Sequence, residues 1–281
     1  PGAAPYKIVT FVPESKSGTP AQIKLFSYPN LELKDALCTK GAFRATMVDF
    51  LWSPTGSAVL VKTSTDMDAT GKSYYGESFL TFMAGDGTLE TNVGLGKEGP
   101  IHDVAWSPNG QMFVAVFGFM PAKAVLFDDK CRPTFDFGTG SRNTVKWAPH
   151  SRFLMLGGFG NIAGHMEFWD KNKQKCLGNI KQPGVVPVAW SPCSRYFLVA
   201  CCFPRLRVDN GFQLLKYDGT PVFADRTAAG ELYQVNFRPA PGVYPDRPVT
   251  PPKQRVPVPG GAPTTLTAIT SGAAAGAEKA G

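Results

Sequence analysis

Apolar residues in this chain fall in short, dense runs separated by turn residues, without the three-to-four-residue spacing of amphipathic helices. Four runs stand out: Ala58-Val59-Leu60-Val61, Met112-Phe113-Val114-Ala115-Val116-Phe117, Phe153-Leu154-Met155-Leu156 and Tyr196-Phe197-Leu198-Val199-Ala200. Near-continuous apolarity at strand length predicts strands covered on both faces. Third strands are predicted after them at residues 78–83, 124–127, 166–170 and 212–217, each with a fourth to follow.

Each run is launched by the same joint: an apolar strand end, an aromatic residue, a small or polar residue, Pro, then a turn. The copies are Phe50-Leu51-Trp52-Ser53-Pro54-Thr55-Gly56, Val104-Ala105-Trp106-Ser107-Pro108-Asn109-Gly110, Val145-Lys146-Trp147-Ala148-Pro149-His150-Ser151, Val188-Ala189-Trp190-Ser191-Pro192-Cys193-Ser194 and the weaker Val235-Asn236-Phe237-Arg238-Pro239. Their aromatic positions are 54, 41, 43 and 47 residues apart. Pro presets a turn, Gly or Asn accepts its positive φ, and the aromatic ring fills the space between neighbouring sheets. Four strands in about 40 to 47 residues is the period of a blade in a WD-type propeller. The predicted fold is therefore all-β, a WD40-like β-propeller with about five blades present.

Tyr6 to Val12 and Gln22 to Tyr28 flank a polar turn and read as the last strands of an earlier blade, so the chain is expected to start inside one. Five joints could close a small ring, but Arg238-Pro239 runs straight into low-complexity sequence, which points to an incomplete larger propeller. With 43% hydrophobic and 12% aromatic residues over 281 positions, the chain can bury a substantial core, which excludes wholesale disorder and collagen-like structure. Thirty Gly and 25 Pro argue against a helical bundle. From Ala240 the composition turns Pro-rich, then Gly-, Ala- and Thr-rich to Gly281. The expected organisation is a propeller over 1–239 and a disordered linker over 240–281.

No apolar stretch approaches the roughly 18 to 20 residues that span a bilayer, and the opening residues lack the basic start and apolar core of a signal peptide. Cysteines 38, 131, 176, 193, 201 and 202 are scattered, consistent with buried structural thiols in a reducing, cytoplasmic setting. Gly94-Leu95-Gly96-Lys97-Glu98-Gly99 matches a dinucleotide fingerprint in spacing but leads into a strand where the helix should start, so it reads as an inter-blade loop. Gly71-Lys72-Ser73 lacks the upstream glycine of a phosphate-binding loop, which falls at Asp66. No G-x-S-x-G elbow accompanies the Trp-Ser-Pro joints, and neither the three histidines nor any cysteine pair has zinc-ligand spacing. No catalytic site, cofactor or metal is expected. His102-Asp103 is expected to be at most a structural hydrogen-bonding pair.

A formal net charge of +7 favours anionic partners. Lys123, Arg142, Lys146, Arg205 and Arg207 read as basic residues in loops after strands. Guanidinium groups suit phosphate; ordinary solvated or loop-capping side chains are the other reading, and composition alone does not separate the two. Arg205 and Arg207 flank Leu206 and would share a face if that stretch were extended.

Three loops go beyond generic propeller grammar: Gly118-Phe119-Met120-Pro121-Ala122-Lys123-Ala124, Phe135-Asp136-Phe137-Gly138-Thr139-Gly140-Ser141-Arg142-Asn143 and Pro204-Arg205-Leu206-Arg207-Val208-Asp209-Asn210-Gly211-Phe212. With Gly157-Gly158-Phe159-Gly160-Asn161 and Glu231-Leu232-Tyr233-Gln234-Val235 in support, the chain resembles the eukaryotic translation initiation factor 2A family, densely from Ile101 to Pro239 and thinly before. The resemblance implies a nine-bladed N-terminal propeller followed by a flexible and then helical region, of which this chain would hold about the second half of the blades and the linker. It also implies a non-enzymatic initiation factor that binds the small ribosomal subunit. Such a factor supports delivery of initiator methionyl-tRNA without GTP-dependent binding, including at alternative start codons, with mRNA and other initiation factors as further contacts. On that implication Lys123, Arg142, Arg205 and Arg207 are the candidate ribosome- or RNA-binding residues. The alternative is a WD-type protein-binding scaffold, like the propeller-bearing subunit of eukaryotic translation initiation factor 3, without direct tRNA contact.

Overall fold

The computed structural model describes residues 6–15, 19–42, 45–65, 76–185, 187–203, 205–226, 230–239 and 244. Those residues build five antiparallel meanders. The first sheet holds β1 (Lys7–Val12), β2 (Ala21–Ser27) and β3 (Cys38–Ala42); the second holds β4 (Met47–Trp52), β5 (Ala58–Ser64), β6 (Ser78–Ala84) and β7 (Glu90–Asn92). The third contains β8 (Ile101–Trp106), β9 (Met112–Phe117), β10 (Ala122–Asp128) and β11 (Pro133–Gly140). The fourth contains β12 (Thr144–Trp147), β13 (Phe153–Gly157), β14 (His165–Asp170) and β15 (Lys175–Lys181), and the fifth β16 (Val188–Trp190), β17 (Tyr196–Cys201), β18 (Gly211–Lys216) and β19 (Pro221–Arg226). In each sheet sequential strands are neighbours, which is the blade topology of a β-propeller.

The count of five sheets is reached differently from the five joints. Four joints open the second to fifth sheets, and the remaining sheet is the N-terminal one, where β3 joins the two strands expected there. Val235 to Pro239 forms no strand. An opening blade strand is held by pairing with the next, and the Pro-rich sequence after Pro239 offers neither an apolar run nor enough amide donors. Residues 240–243 and 245–281, most of the expected linker, lie outside the described residues.

The continuous apolar runs divide between two cores by strand parity. On β9, Phe113, Ala115 and Phe117 pack with Leu60, Leu80 and Phe82 of the second sheet, while Val114 and Val116 pack with Val145, Leu154 and Leu156 of the fourth. On β5, Val59 and Val61 face Ile23 and Leu25 of the first sheet, and Ala58 and Leu60 face the third. Each core is thus shared by two consecutive sheets, and opening strands of successive sheets contact one another.

The joints stitch the blades together. Trp106 Nε1 donates to the Leu51 carbonyl at 2.8 Å, Trp147 Nε1 to Ala105 at 3.1 Å and Trp190 Nε1 to Lys146 at 2.9 Å. In every case the acceptor immediately precedes the joint Trp of the blade before. A second stitch runs through the turn: the Asn109 amide donates to Ser151 Oγ at 3.0 Å and the His150 amide to Ser194 Oγ at 2.9 Å. The left-handed turn position is Gly56 and Gly110 in two joints but Ser151 and Ser194, both at φ 59°, in the others. Asp103 adds a third stitch, accepting from the Val145 amide at 2.8 Å, while His102 Nε2 bonds to the Gly118 carbonyl instead of to Asp103.

Antiparallel alternation gives the propeller two ends. The joints and the turns between third and fourth strands lie at one, called here the joint end. The links between second and third strands, and from one sheet to the next, lie at the other, the loop end.

Candidate functional site

Lys123, Arg142, Arg205 and Arg207 all map to the loop end, but in different states. Lys123 opens β10, and its ammonium pairs with Asp136 on β11 at 2.9 Å. Burial raises the Asp136 carboxyl, yet the Lys123 contact and the Gly138 amide outweigh it and hold the group below its usual range. Arg142 links the third and fourth sheets and is only 4% exposed. Its Nη2 meets Glu167 Oε1 on β14 at 3.2 Å, Nη1 donates to the Phe137 carbonyl at 3.4 Å, and buried Nε has no partner. Burial pushes this guanidinium below its ordinary value, with Glu167 opposing. Glu167 also accepts from Trp169 Nε1 at 3.0 Å, and Phe135 and Phe137 pack edge-on against the Trp169 ring. Arg142 therefore lies inside the seam between two blades, where its charge is held by Glu167.

Arg205 and Arg207 are exposed in the link between β17 and β18. That link is not extended: the amides of Arg205 and Leu206 both donate to the Cys202 carbonyl, and Asp209 takes φ 55°. The shared-face argument for the pair therefore fails, because a turn replaces the strand. Each has its own setting. A Cβ built on Gly160, in the neighbouring sheet's link, would lie 3.6 Å from Arg205 Nη2, and Arg207 sits over the Phe203 ring at 5.8 Å. Neither pairs with a carboxylate among the described residues.

Sequence reasoning missed the aromatic surroundings. Phe203 and Tyr233 lie 5.3 Å apart by ring centroids, and Tyr233 is 61% exposed, its phenol donating to Glu231 at 2.6 Å. This bond holds the phenol above its ordinary value. Residues 230–239 reach this place because the Leu232 carbonyl accepts from the Phe203 amide and its amide donates to Asn210 Oδ1 at 3.1 Å. Farther along the same end, Phe119 and Met120 are also exposed. The loop end thus offers two guanidinium groups without a carboxylate partner among the described residues, Arg207 over the half-buried Phe203 ring and near exposed Tyr233, an arrangement suited to phosphates and stacked bases.

The other motifs show no chemistry of their own. Gly94 to Gly99 lies between β7 and β8 with no helix after it, and Gly71-Lys72-Ser73 lies outside the described residues. Among the described residues no three His, Cys, Asp or Glu side chains gather as metal ligands, and no helix is long and apolar enough to cross a membrane.

Comparison with known proteins connects this geometry to a lineage. Residues 40–235 match the family model described as "Eukaryotic translation initiation factor eIF2A". The chain is 42% identical over 244 residues to eukaryotic translation initiation factor 2A of Dictyostelium discoideum, covering 86% of this chain and 39% of that protein. A more distant likeness, 24% identical, is to a subunit of eukaryotic translation initiation factor 3 from Xenopus laevis, over 83% of this chain and 33% of that protein. A solved structure titled "Crystal structure of the eukaryotic initiation factor" superposes with a TM-score of 0.71 at 33% identity, covering 83% of this chain and 54% of that one. The chain thus spans well under half the length of those curated relatives. The match extends across the second to fifth sheets and the loop-end residues, and the chain belongs to the eukaryotic translation initiation factor eIF2A family.

Proposed function

We propose that this chain is the propeller part of a non-enzymatic translation initiation factor, acting in the cytoplasm, that docks on the small ribosomal subunit and supports delivery of initiator methionyl-tRNA, including GTP-independent and alternative-start initiation. Family membership supports the initiation role. The observation that carries the docking surface is the pair Arg205 and Arg207, exposed and, among the described residues, without carboxylate partners, with Arg207 over Phe203 and Phe203 beside Tyr233. Lys123 stands at the margin, since docking would have to draw it from Asp136; Arg142 serves by keeping two blades in register. The propeller acts as a rigid platform, and the 240–281 segment links it to further contacts, among them mRNA and other factors.

Arg205→Glu with Arg207→Glu should lose most small-subunit co-sedimentation at about 100 mM salt while the melting temperature stays unchanged, because two cationic contacts become repulsive. Full comigration of that variant would remove both residues from the interface. A second reading, a protein-binding scaffold, is favoured by exposed Phe119 and Met120 and by the likeness to the initiation factor 3 protein. It predicts comigration that resists salt and nuclease.

A further inference from the structure

Both ends of the propeller carry cations. At the loop end Lys123 is answered by Asp136 and Arg142 by Glu167, while Arg205 and Arg207 have no carboxylate partner among the described residues. At the joint end, the outer turns of the third, fourth and fifth sheets carry Lys130, Lys171, Lys173, Lys175 and Lys216. The local acids there are largely engaged within the fold: Asp128 holds Arg132 at 2.7 Å and Asp170 holds Arg152 at 3.0 Å, which leaves Asp129 and Asp218. No described carboxylate comes within ion-pair distance of the five lysines.

The central turn, Lys171 to Lys175, is preorganised. Asp170, 2% exposed, accepts from the amides of Asn172 at 3.0 Å and Lys173 at 3.3 Å through Oδ1, while Oδ2 takes the Arg152 guanidinium. The Lys171 amide donates to the Arg152 carbonyl, and Gln174 closes the turn at φ 50° onto the Lys171 carbonyl. A fixed backbone therefore presents three ammonium groups at alternate positions, with the ordering entropy of the backbone already met on folding.

We infer that the joint end, centred on Lys171, Lys173 and Lys175, is a second interaction surface, and that it takes the phosphodiester backbone of RNA without reading sequence. Lysine is a point charge that meets phosphate oxygens from any direction, without the planar fork that selects geometry. An acidic protein partner fits less well. Protein interfaces are anchored by buried aromatic and aliphatic side chains, and the turns at 128–132, 171–175 and 216–220 expose no large hydrophobic residue. The surface is separate from Arg205 and Arg207 and does not depend on the docking role proposed for them.

The test is fluorescence anisotropy of a labelled 20-nucleotide single-stranded RNA of mixed sequence, titrated with the chain across a salt series. Lys171→Gln with Lys173→Gln and Lys175→Gln should lower the log–log salt slope by about 2, because each lost contact with a single strand removes roughly 0.7. The matching Lys→Arg triple should keep the wild-type slope, and Arg205→Gln with Arg207→Gln should leave the lysine-dependent part intact. Should the Gln triple fold poorly, Lys173→Gln with Lys175→Gln, both exposed, should lower the slope by about 1.4. An unchanged slope in the folded Gln variants would overturn the inference. So would a labelled polyglutamate peptide that binds as tightly as the RNA, which would assign the surface to an acidic protein.

Discussion

At the scale of single residues, the joints reveal a balance between backbone strain and hydrogen bonding. Ser194 is 2% exposed at φ 59°, a conformation that costs a non-glycine residue about 1–2 kcal/mol, yet its hydroxyl accepts the His150 amide from the preceding blade. Ser194→Ala keeps the strain and strands a partly buried donor, so it should lower stability by about 1 kcal/mol or more. Ser194→Gly loses the same bond but relieves the strain, so its urea midpoint should fall between those of Ala and wild type; equal midpoints for Ala and Gly would show that the strain is not felt. Cys131 makes a titration argument at the same scale. Burial, then the Asp128 carboxylate, pushes its thiol up to about 11 from an ordinary 9.0. A raised acid pKa means the folded chain holds the proton longer than the unfolded chain, so this stabilisation is complete below pH 9 and falls as pH rises towards 11. Cys38, Cys176, Cys201 and Cys202 shift in the same direction. Alkylation of Cys131 in the native chain should stay slow at pH 8 and accelerate above pH 10, with thermal stability falling over the same range; fast alkylation of Cys131 at pH 8, read by mass spectrometry, would contradict its burial.

At the scale of elements, legibility follows how many neighbours an element has. The second strands of the four jointed sheets, buried on both faces, stand out as continuous apolar runs, and the joint Trp residues fix the period. The outer strands are faint. The segment Cys-Thr-Lys-Gly-Ala of β3 carries no apolar alternation strong enough to read, because an outer strand packs on little and is open along one edge. The bulges on these strands are invisible in sequence as well, although the pairing slips at equivalent places, between Leu126 and Phe127, Phe168 and Trp169, and Leu214 and Leu215. For the candidate site, sequence supplies charge and loop position but not solvent access: Arg142 and Arg205 look alike in a string, and only the aromatic seam around Trp169 makes the first an interior residue. The Trp Nε1 stitches are equally hidden, since their acceptors are backbone carbonyls, which carry no sequence signature. The turn of Lys171 to Lys175 does not stand out from its residues alone, because its character depends on which acids face elsewhere.

At the scale of the whole molecule, the stability of stacked sheets is a sum of sheet and nearest-neighbour interface terms, so a sheet with an unpacked face loses one of those terms. Among the described residues the fifth sheet shares a core with the fourth sheet alone, although Leu198 on its other face is only 5% exposed. Phe197 and Val199 of β17 pack with Met155, Met166 and Phe168 of the fourth sheet, but the alternate residues face the other way. Register pairing places Ala189, Leu198, Leu214 and Phe223 in one row across β16 to β19, with Phe212 beside Phe223 at 5.8 Å and Phe223 49% exposed. An apolar sheet face of that kind attracts a second copy when nothing covers it. The purified chain should therefore self-associate in the micromolar range, seen as a concentration-dependent sedimentation coefficient. Leu214→Lys with Phe223→Lys charges one row of this face without touching the core shared with the fourth sheet, so it should shift the chain to monomer at little cost in melting temperature. Phe197→Lys, on the opposite face of the same sheet, should unfold it instead. A monomeric wild-type chain that melts cooperatively would mean that the face is already satisfied within the chain, and residues 230–239, which begin beside Phe203, would be the segment to truncate next.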